Sequence, residues 1–476
     1  MPIRLYNTLS QEIEPLQPLH PGQVHMYTCG PTVHERAHIG NYRTFLAEDL
    51  LRRHLEARGL KVDQVMNITD VDDKTIAKAT ALGQSLNQYT APFINGFFAD
   101  LDRLAIPPAQ HIPRATDHIA PMLALVERLV ASGHAYQSEG SVYFRVASFP
   151  EYGRLSRLDV EGLSAGASGR IDSDEYEAKE AVRDFALWKA GKEGDLAAWP
   201  SPFGWGRPGW HIECAAMAME FLGETIDIHC GGIDNKFPHH ENEIAEAESV
   251  TGKPFVRLWF HVEHLLVEGG KMAKSLNNFV TLPALMERGY SPLVVRYHLL
   301  SNTHYRQKLR FREEDLVGAS GSLDRLADFW RRCAAAQNGE LRTAGSGDPM
   351  AAAARRALDR FEDKMDDDLN LPGAMSSIHD LVREGNRLLD EGRVGADGCD
   401  AALRTLRSAD SRLGVMERAA VSEEPYLSAE EQQALARRED ARKRGNFSKA
   451  DRLRDELLER GIVVEDTKEG TRWRRL

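Results

Sequence analysis

The sequence predicts an α/β fold. A parallel-sheet core carries a long insertion and is followed by an α-helical bundle and a small C-terminal domain. Three observations lead there. First, residues 24–29 (VHMYTC) read as a short strand. From His38 the segment HIGNYRTFLAEDLLRRHLEARG then has helical periodicity, with Ile39, Phe45, Leu46, Leu50 and Leu55 as its apolar face. Second, QVMNITDV reads as the next strand after Gly59. Strand–turn–helix–strand is the opening unit of a nucleotide-binding parallel sheet. Third, strand-like sequence returns at TIDIHCGG and FHVEHLLVEG and stops near residue 311, where long helical patterns begin and run to about 418.

The division that follows places the sheet core in residues 1–77 and 206–310, with the insertion at 78–205. The insertion mixes a helical stretch (HIAPMLALVERLVASGHA) with hairpin-like strands (SVYFRV), and its acidic, Gly/Ser-rich run GASGRIDSDEYEAKEAV predicts a mobile loop. The bundle spans 311–420, broken by the linker AAQNGELRTAGSGDP. The linker VSEEPYLS precedes a compact tail at 429–476. The chain has 476 residues, too many for one core. It contains no run of about 18 apolar residues, so no membrane span is expected. Its N-terminus has no apolar signal region, so the expected compartment is the cytoplasm. Five scattered cysteines argue for reduced thiols or metal ligands over a disulfide framework. The net charge of −12 disfavours nonspecific nucleic-acid binding, but residues 437–476 carry 13 Lys/Arg against 9 Asp/Glu, a local net of +4.

Two groups of residues carry chemistry. Pro238 followed by a periodic acidic segment predicts a helix beginning near His239. His239 and Glu243 then stand at i and i+4 on one face, a spacing that chelates a metal. Cys29 lies at the C-terminal end of the first strand read, where open α/β sheets bind ligands. The second group handles phosphate. His38-Ile39-Gly40-Asn41 opens the first long helix, whose N-terminus offers N–H groups and positive partial charge to an anion. His38 can donate to a phosphate oxygen, and Gly40 permits close approach. Lys271-Met272-Ala273-Lys274-Ser275 follows Gly269-Gly270, so two lysines on a glycine-preceded loop can neutralise a pyrophosphate leaving group.

In this order and separation, HIGN and KMAKS resemble the HIGH and KMSKS signatures of class I aminoacyl-tRNA synthetases. YTCGPTVHERAHIGN, NITDVDDKTI, GWHIECAAMA, FPHHENEIAEAE, KMAKSLNNF and the tail ARKRGNFSKADRLRDELLERGIVVEDTKEGTRW resemble cysteinyl-tRNA synthetase, over nearly the whole chain. The resemblance implies a Rossmann-like catalytic domain with a connective insertion, a helical bundle that docks tRNA, and a C-terminal anticodon-binding domain. It implies one zinc ion held by Cys29, Cys214, His239 and Glu243, with the substrate thiol completing the coordination. It implies ATP as substrate, with Mg2+, and cysteine and tRNA(Cys) as partners of a monomeric chain. His38, Lys271 and Lys274 would be catalytic. His38, Gly40, Asn41, Asp234 and Lys274 would bind ATP. Trp210 and Cys29 would contact cysteine. Arg442, Asp451 and Asp466 would read the anticodon, with Phe447 or Trp473 available to stack on bases. Zinc selecting a soft thiol would remove the need for editing.

The chain departs from the family pattern at three places. Asn41 replaces the second histidine of HIGH, and Ala273 replaces the serine of KMSKS. Cys230 stands where the family often has glycine, and is read as a packed bystander. Two other readings remain open at this point. One is a ligase joining cysteine to an amino sugar, which shares the zinc and adenylate chemistry but lacks the tail. The other is a noncatalytic RNA-binding relic.

Overall fold

The computed structural model describes residues 2–158, 179–181, 183–267, 270–271, 279–336, 348–421, 427–467 and 470–475. The run expected to be a mobile loop, GASGRIDSDEYEAKEAV, falls almost wholly outside them. The chain begins with a hairpin that sequence patterning does not announce, β1 (Arg4–Asn7) against β2 (Glu12–Pro15). Four-residue strands are too short to display a period. Next come β3 (Gln23–Thr28), α1 (Ile39–Ala57) and β4 (Lys61–Met66). Every residue expected on the apolar face of α1 is at most 5% exposed. β4 is shorter than QVMNITDV because Asn67 turns inward, its Oδ1 accepting from Gly30 N at 2.9 Å.

α2 (Asp73–Leu82) crosses the expected start of the insertion, which goes on to supply α3 (Leu86–Arg103) and α4 (Ile119–Ala131). It also holds β5 (Ala135–Ser138), β6 (Ser141–Phe144) and β7 (Phe185–Ala190), which join β8 (Gly206–Pro208) in an antiparallel sheet. The parallel core then resumes with α5 (Trp210–Leu222), β9 (Ile226–Gly232), α6 (Glu241–Thr251) and β10 (Val256–Val262). The order in the parallel sheet is β10-β9-β3-β4. β3 is therefore central, and the chain leaves it toward β4 on one side while β9 flanks the other. A crevice opens at the carboxyl end of such a switch point.

A small sheet follows, β11 (Leu265–Val267) between β12 (Gly270–Lys271) and a later strand. After α7 (Leu282–Glu287) and α8 (Pro292–Ser301), that strand is β13 (Leu309–Arg310). The bundle comprises α9 (Asp315–Ala335), α10 (Pro349–Asp366), α11 (Leu371–Asp390), α12 (Ala396–Leu413) and α13 (Met416–Val421). The tail folds as α14 (Ala429–Lys443), α15 (Phe447–Glu459) and the hairpin β14 (Ile462–Thr467)–β15 (Gly470–Arg475).

One apolar core runs from the α1 face of the sheet into the bundle. A second fills the opposite face among α4, α5 and the insertion sheet, and a small third one holds the tail together. The buried Arg296 guanidinium ties the first two parts of the chain to the bundle. It donates to Leu413 O at 2.5 Å and Leu104 O at 2.9 Å and pairs with Asp49 on α1 at 2.5 Å. Removing one partner from a buried pair of this kind costs about 3–5 kcal/mol. Among the described residues no helix is long and apolar enough to cross a membrane.

Candidate active site and metal centre

A cavity of about 900 Å³ opens at the carboxyl end of β3. Cys29 lies immediately after that strand, its N–H donating to Cys230 O at 3.2 Å. Gly30 is required next to it, since a Cβ there would stand 1.6 Å from Asn67 O. Cys214 is on α5. His239 precedes α6 and Glu243 lies in its first turn. The four ligand atoms all lie within 4.8 Å of one another. The sulfurs of Cys29 and Cys214 are 3.9 Å apart and unlinked by a disulfide. Glu243 Oε1 is buried and makes no hydrogen bond, although His239 Nε2 stands 3.2 Å away. Donors that converge in this way fit a cation between them, and two sulfurs, one imidazole and one carboxylate suit zinc. Burial pushes both the Cys29 thiol and the Glu243 carboxyl well up. Both would hold protons in an uncharged pocket, and a divalent cation reverses that preference.

A second donor set, Cys29 with His229, His240 and Glu243, is equally compact. Two observations favour the first. Cys29, Cys214 and His239 line the cavity, whereas His229 and His240 do not. His229 Nε2 is engaged with Glu243 Oε2 at 2.8 Å, which leaves Oε1 for the ion. His240 Nδ1 is engaged with His261 Nε2 at 2.9 Å, while its Nε2 stands 3.3 Å from Cys29 Sγ. Burial pushes His229 and His261 down to about 3 and His240 well down, so these imidazoles are neutral. His229 thus holds Glu243 in place, and His211 does the same for His239, its Nδ1 2.9 Å from His239 Nδ1. Sequence reasoning missed both. The only signal was a density of histidines in GWHIEC, TIDIHC and FPHHENE, which does not separate ligands from their supports. Trp210 stacks on His239 with centroids 4.4 Å apart and planes 8° from parallel.

His38 and Asn41, expected from the sequence to handle phosphate, line the same cavity. His38 is the N-cap of α1. Its Nδ1 accepts from Asn41 N at 3.2 Å, and Asn41 Oδ1 accepts from His38 N at 3.0 Å. The ring proton is therefore on Nε2. This reciprocal cap gives Asn41 a structural use of its own, since a side-chain acceptor at that position closes the box. Phe279 meets the His38 ring edge-on at 5.2 Å. Asp234 and Asn41 also border the cavity, and Gly40 lies in the first turn of α1. The backbone of Lys271 lies in β12, while Lys274 falls outside the described residues. Cys230 is fully buried beneath the site and belongs to neither donor set.

In the tail, Arg442 and Asp466 are brought together at 2.5 Å, with Arg438 also on Asp466 at 2.6 Å. These guanidinium groups hold the Asp466 carboxyl below its usual range. Asp451 pairs separately with Arg454 at 3.4 Å. Phe447 is 62% exposed, whereas Trp473 is half-buried against the tail's own core.

The comparisons agree with this arrangement. Residues 15–321 match the family model for the tRNA synthetases class I (C) catalytic domain. Residues 360–417 match the DALR domain, and 424–474 match the cysteinyl-tRNA ligase anticodon binding domain. In fold the chain resembles a Mycobacterium tuberculosis methionyl-tRNA synthetase bound by methionyl-adenylate, with a TM-score of 0.61 at 16% identity, covering 88% of this chain and 94% of that one. It likewise resembles an Agrobacterium radiobacter LeuRS in a ternary complex, with a TM-score of 0.61 at 10% identity and 88% of each chain covered. The molecule is thus a class I aminoacyl-tRNA synthetase. The cysteine–tRNA ligase of Solibacter usitatus is 48% identical over 475 residues, covering all of both chains. That of Protochlamydia amoebophila is 46% identical over 476 residues, covering 99% of this chain and 98% of its own. The chain belongs to the cysteine–tRNA ligase family.

Proposed function

We propose that the chain activates cysteine with ATP and transfers it to the terminal adenosine of tRNA(Cys), selecting the amino acid by its thiol. The observation that carries this reading is the shared cavity, in which a Cys29–Cys214–His239–Glu243 cluster and the capped N-terminus of α1 face the same space. Cys29, Cys214, His239 and Glu243 would hold the zinc. When bound, zinc supplies Lewis acidity that favours a substrate thiolate over a serine hydroxyl. Trp210 holds the His239 ring flat and walls the pocket. The neutral His229, and His211 beside His239, orient the ligand groups.

His38, with its proton on Nε2, donates to the phosphates as negative charge develops there, and the α1 N-terminus adds its partial charge. Gly40 and Asn41 shape that turn around ATP, and Asp234 accepts from the ribose. Lys271 and Lys274 neutralise the departing pyrophosphate. Catalysis is then mostly positioning and electrostatics. Arg442, Asp451 and Asp466 would recognise anticodon base edges. We adopt the four-part domain division given above and infer a cytoplasmic monomer that takes Mg2+ with its ATP.

The test measures cysteine-dependent exchange of pyrophosphate into ATP and then charging of tRNA(Cys). Both should occur, with serine supporting neither. Exchange without charging would favour the amino-sugar ligase, and no exchange would overturn the enzyme assignment.

A further inference from the structure

The tail touches the catalytic part of the chain at a glycine. Gly289 closes α7 with φ +95° and its N–H on Met286 O at 2.9 Å. The Trp473 indole sits so close that a Cβ on Gly289 would stand 2.6 Å from Nε1, and 2.9 Å from Leu427 Cδ1. Leu427 and Trp473 both belong to the small core that holds the tail together. One indole therefore links that core to α7.

The other end of α7 reaches the phosphate site. Thr281 caps the helix through Ala284 N at 3.3 Å, and Leu282 and Leu285 are fully buried beneath it. The residue before its cap, Val280, accepts from Ile39 N at 3.0 Å, which occupies one of the unsatisfied donors at the start of α1. The preceding residue is Phe279, whose ring meets His38. A continuous run of packed and hydrogen-bonded groups thus connects Trp473 to the N-cap of α1.

We propose that Trp473 is a positioning residue for the phosphate site: seated on Gly289, it sets α7 and, through Phe279 and Val280, the placement of His38. The inference rests on the role given to His38 above. It gives the tRNA-facing tail a mechanical hold on adenylate formation. A residue serving only the tail's own stability would affect tRNA use alone.

The test is pyrophosphate exchange in the absence of tRNA, on the full-length zinc-loaded enzyme. Trp473→Leu and Gly289→Ala should each lower kcat/KM for ATP by about fivefold or more, the size typical of coupling through packed elements. The cysteine KM and zinc content should stay at wild-type values, and Trp473→Phe should recover exchange to within about twofold of wild type, a difference small beside typical coupling. Gly289 lies outside the tail's core, but Ala there is strained at φ +95° whatever its neighbours, so the double variant is measured too: one shared contact leaves its loss no greater than the larger single loss, whereas two losses that multiply would overturn the inference. Normal exchange in both variants, with only the tRNA KM raised, would overturn the inference, as would a loss confined to Trp473→Leu. Absence of exchange in the wild type would instead overturn the activity on which the inference stands.

Discussion

Gly30 is the point where the backbone and the metal centre constrain each other most tightly. A Cβ at this position would lie 1.6 Å from Asn67 O, and real Cβ contacts essentially never fall under 3.0 Å. Gly30→Ala therefore demands a movement of about 1.4 Å between the end of β3 and the end of β4, the difference of those two distances. The strands are hydrogen-bonded in register up to Thr28–Met66, so the ends cannot slide apart freely. The residue that must move with them is Cys29. Displacement of a reacting group by about 1 Å costs on the order of 100-fold in rate, or about 2.7 kcal/mol. We expect Gly30→Ala to lose most of its zinc and to show kcat/KM for cysteine in pyrophosphate exchange lowered about 100-fold. Metal analysis and exchange kinetics read this directly. Gly59→Ala is the control, because its Cβ would meet nothing within 4 Å although its φ is +83°. It should cost only modest stability and leave exchange unchanged. A Gly30→Ala protein with a full zinc equivalent and near-normal exchange would refute the reasoning.

Other expectations follow from the same geometry. Cys214→Ser should release zinc and raise the cysteine KM greatly, and a full metal equivalent in that variant would contradict the ligand assignment. Lys274→Ala should slow exchange by on the order of 100-fold with zinc content intact, as expected for loss of one charge-stabilising donor. Thermal unfolding should reveal the buried His54, whose Nε2 is 3.1 Å from Asp366 and whose pKa burial pushes down to about 3, with the nearby Arg412 and Arg58 acting in the same direction. Because the folded value is depressed, the unfolded chain takes up a proton first. His54 stability is thus complete above about pH 6.5 and falls as pH drops toward 3, by up to about 1.4 kcal/mol per pH unit. His54→Gln should flatten the stability profile by that slope, and an unchanged profile would count against it.

Much of the sheet core was legible because α1 is long and strongly periodic and Cys29 sits where a parallel sheet binds ligands. His239 and Glu243 were readable from helical spacing alone. Cys214 was not, because nothing local relates it to a residue 185 positions away. It came only through the family resemblance. The supporting histidines stayed hidden for a different reason. His229 faces Glu243 across a strand and a helix, and no spacing rule spans that gap. β4 stopped early because Asn67, readable as a strand residue, is used to hold Gly30. Trp473 reads as a surface for bases, but an aromatic in a basic tail has two uses, and the sequence does not choose between them. Asn41 looked like a loss until its side chain was seen closing the cap on His38.

The burial of every cysteine has a practical consequence. Cys29 and Cys214 border the cavity, while Cys230, Cys333 and Cys399 are fully enclosed. A thiolate clamped on a metal is shielded from alkylation, and an enclosed thiol reacts only when the fold opens. The folded metal-loaded protein should accordingly be silent to a thiol reagent. Stripping the metal should leave Cys29 and Cys214 at the cavity wall, where they react slowly because burial keeps the Cys29 thiol protonated, and denaturing the chain should expose all five at full rate. The number of labels taken up thus acts as a built-in gauge that tells loss of the ion from loss of the fold, with no introduced probe.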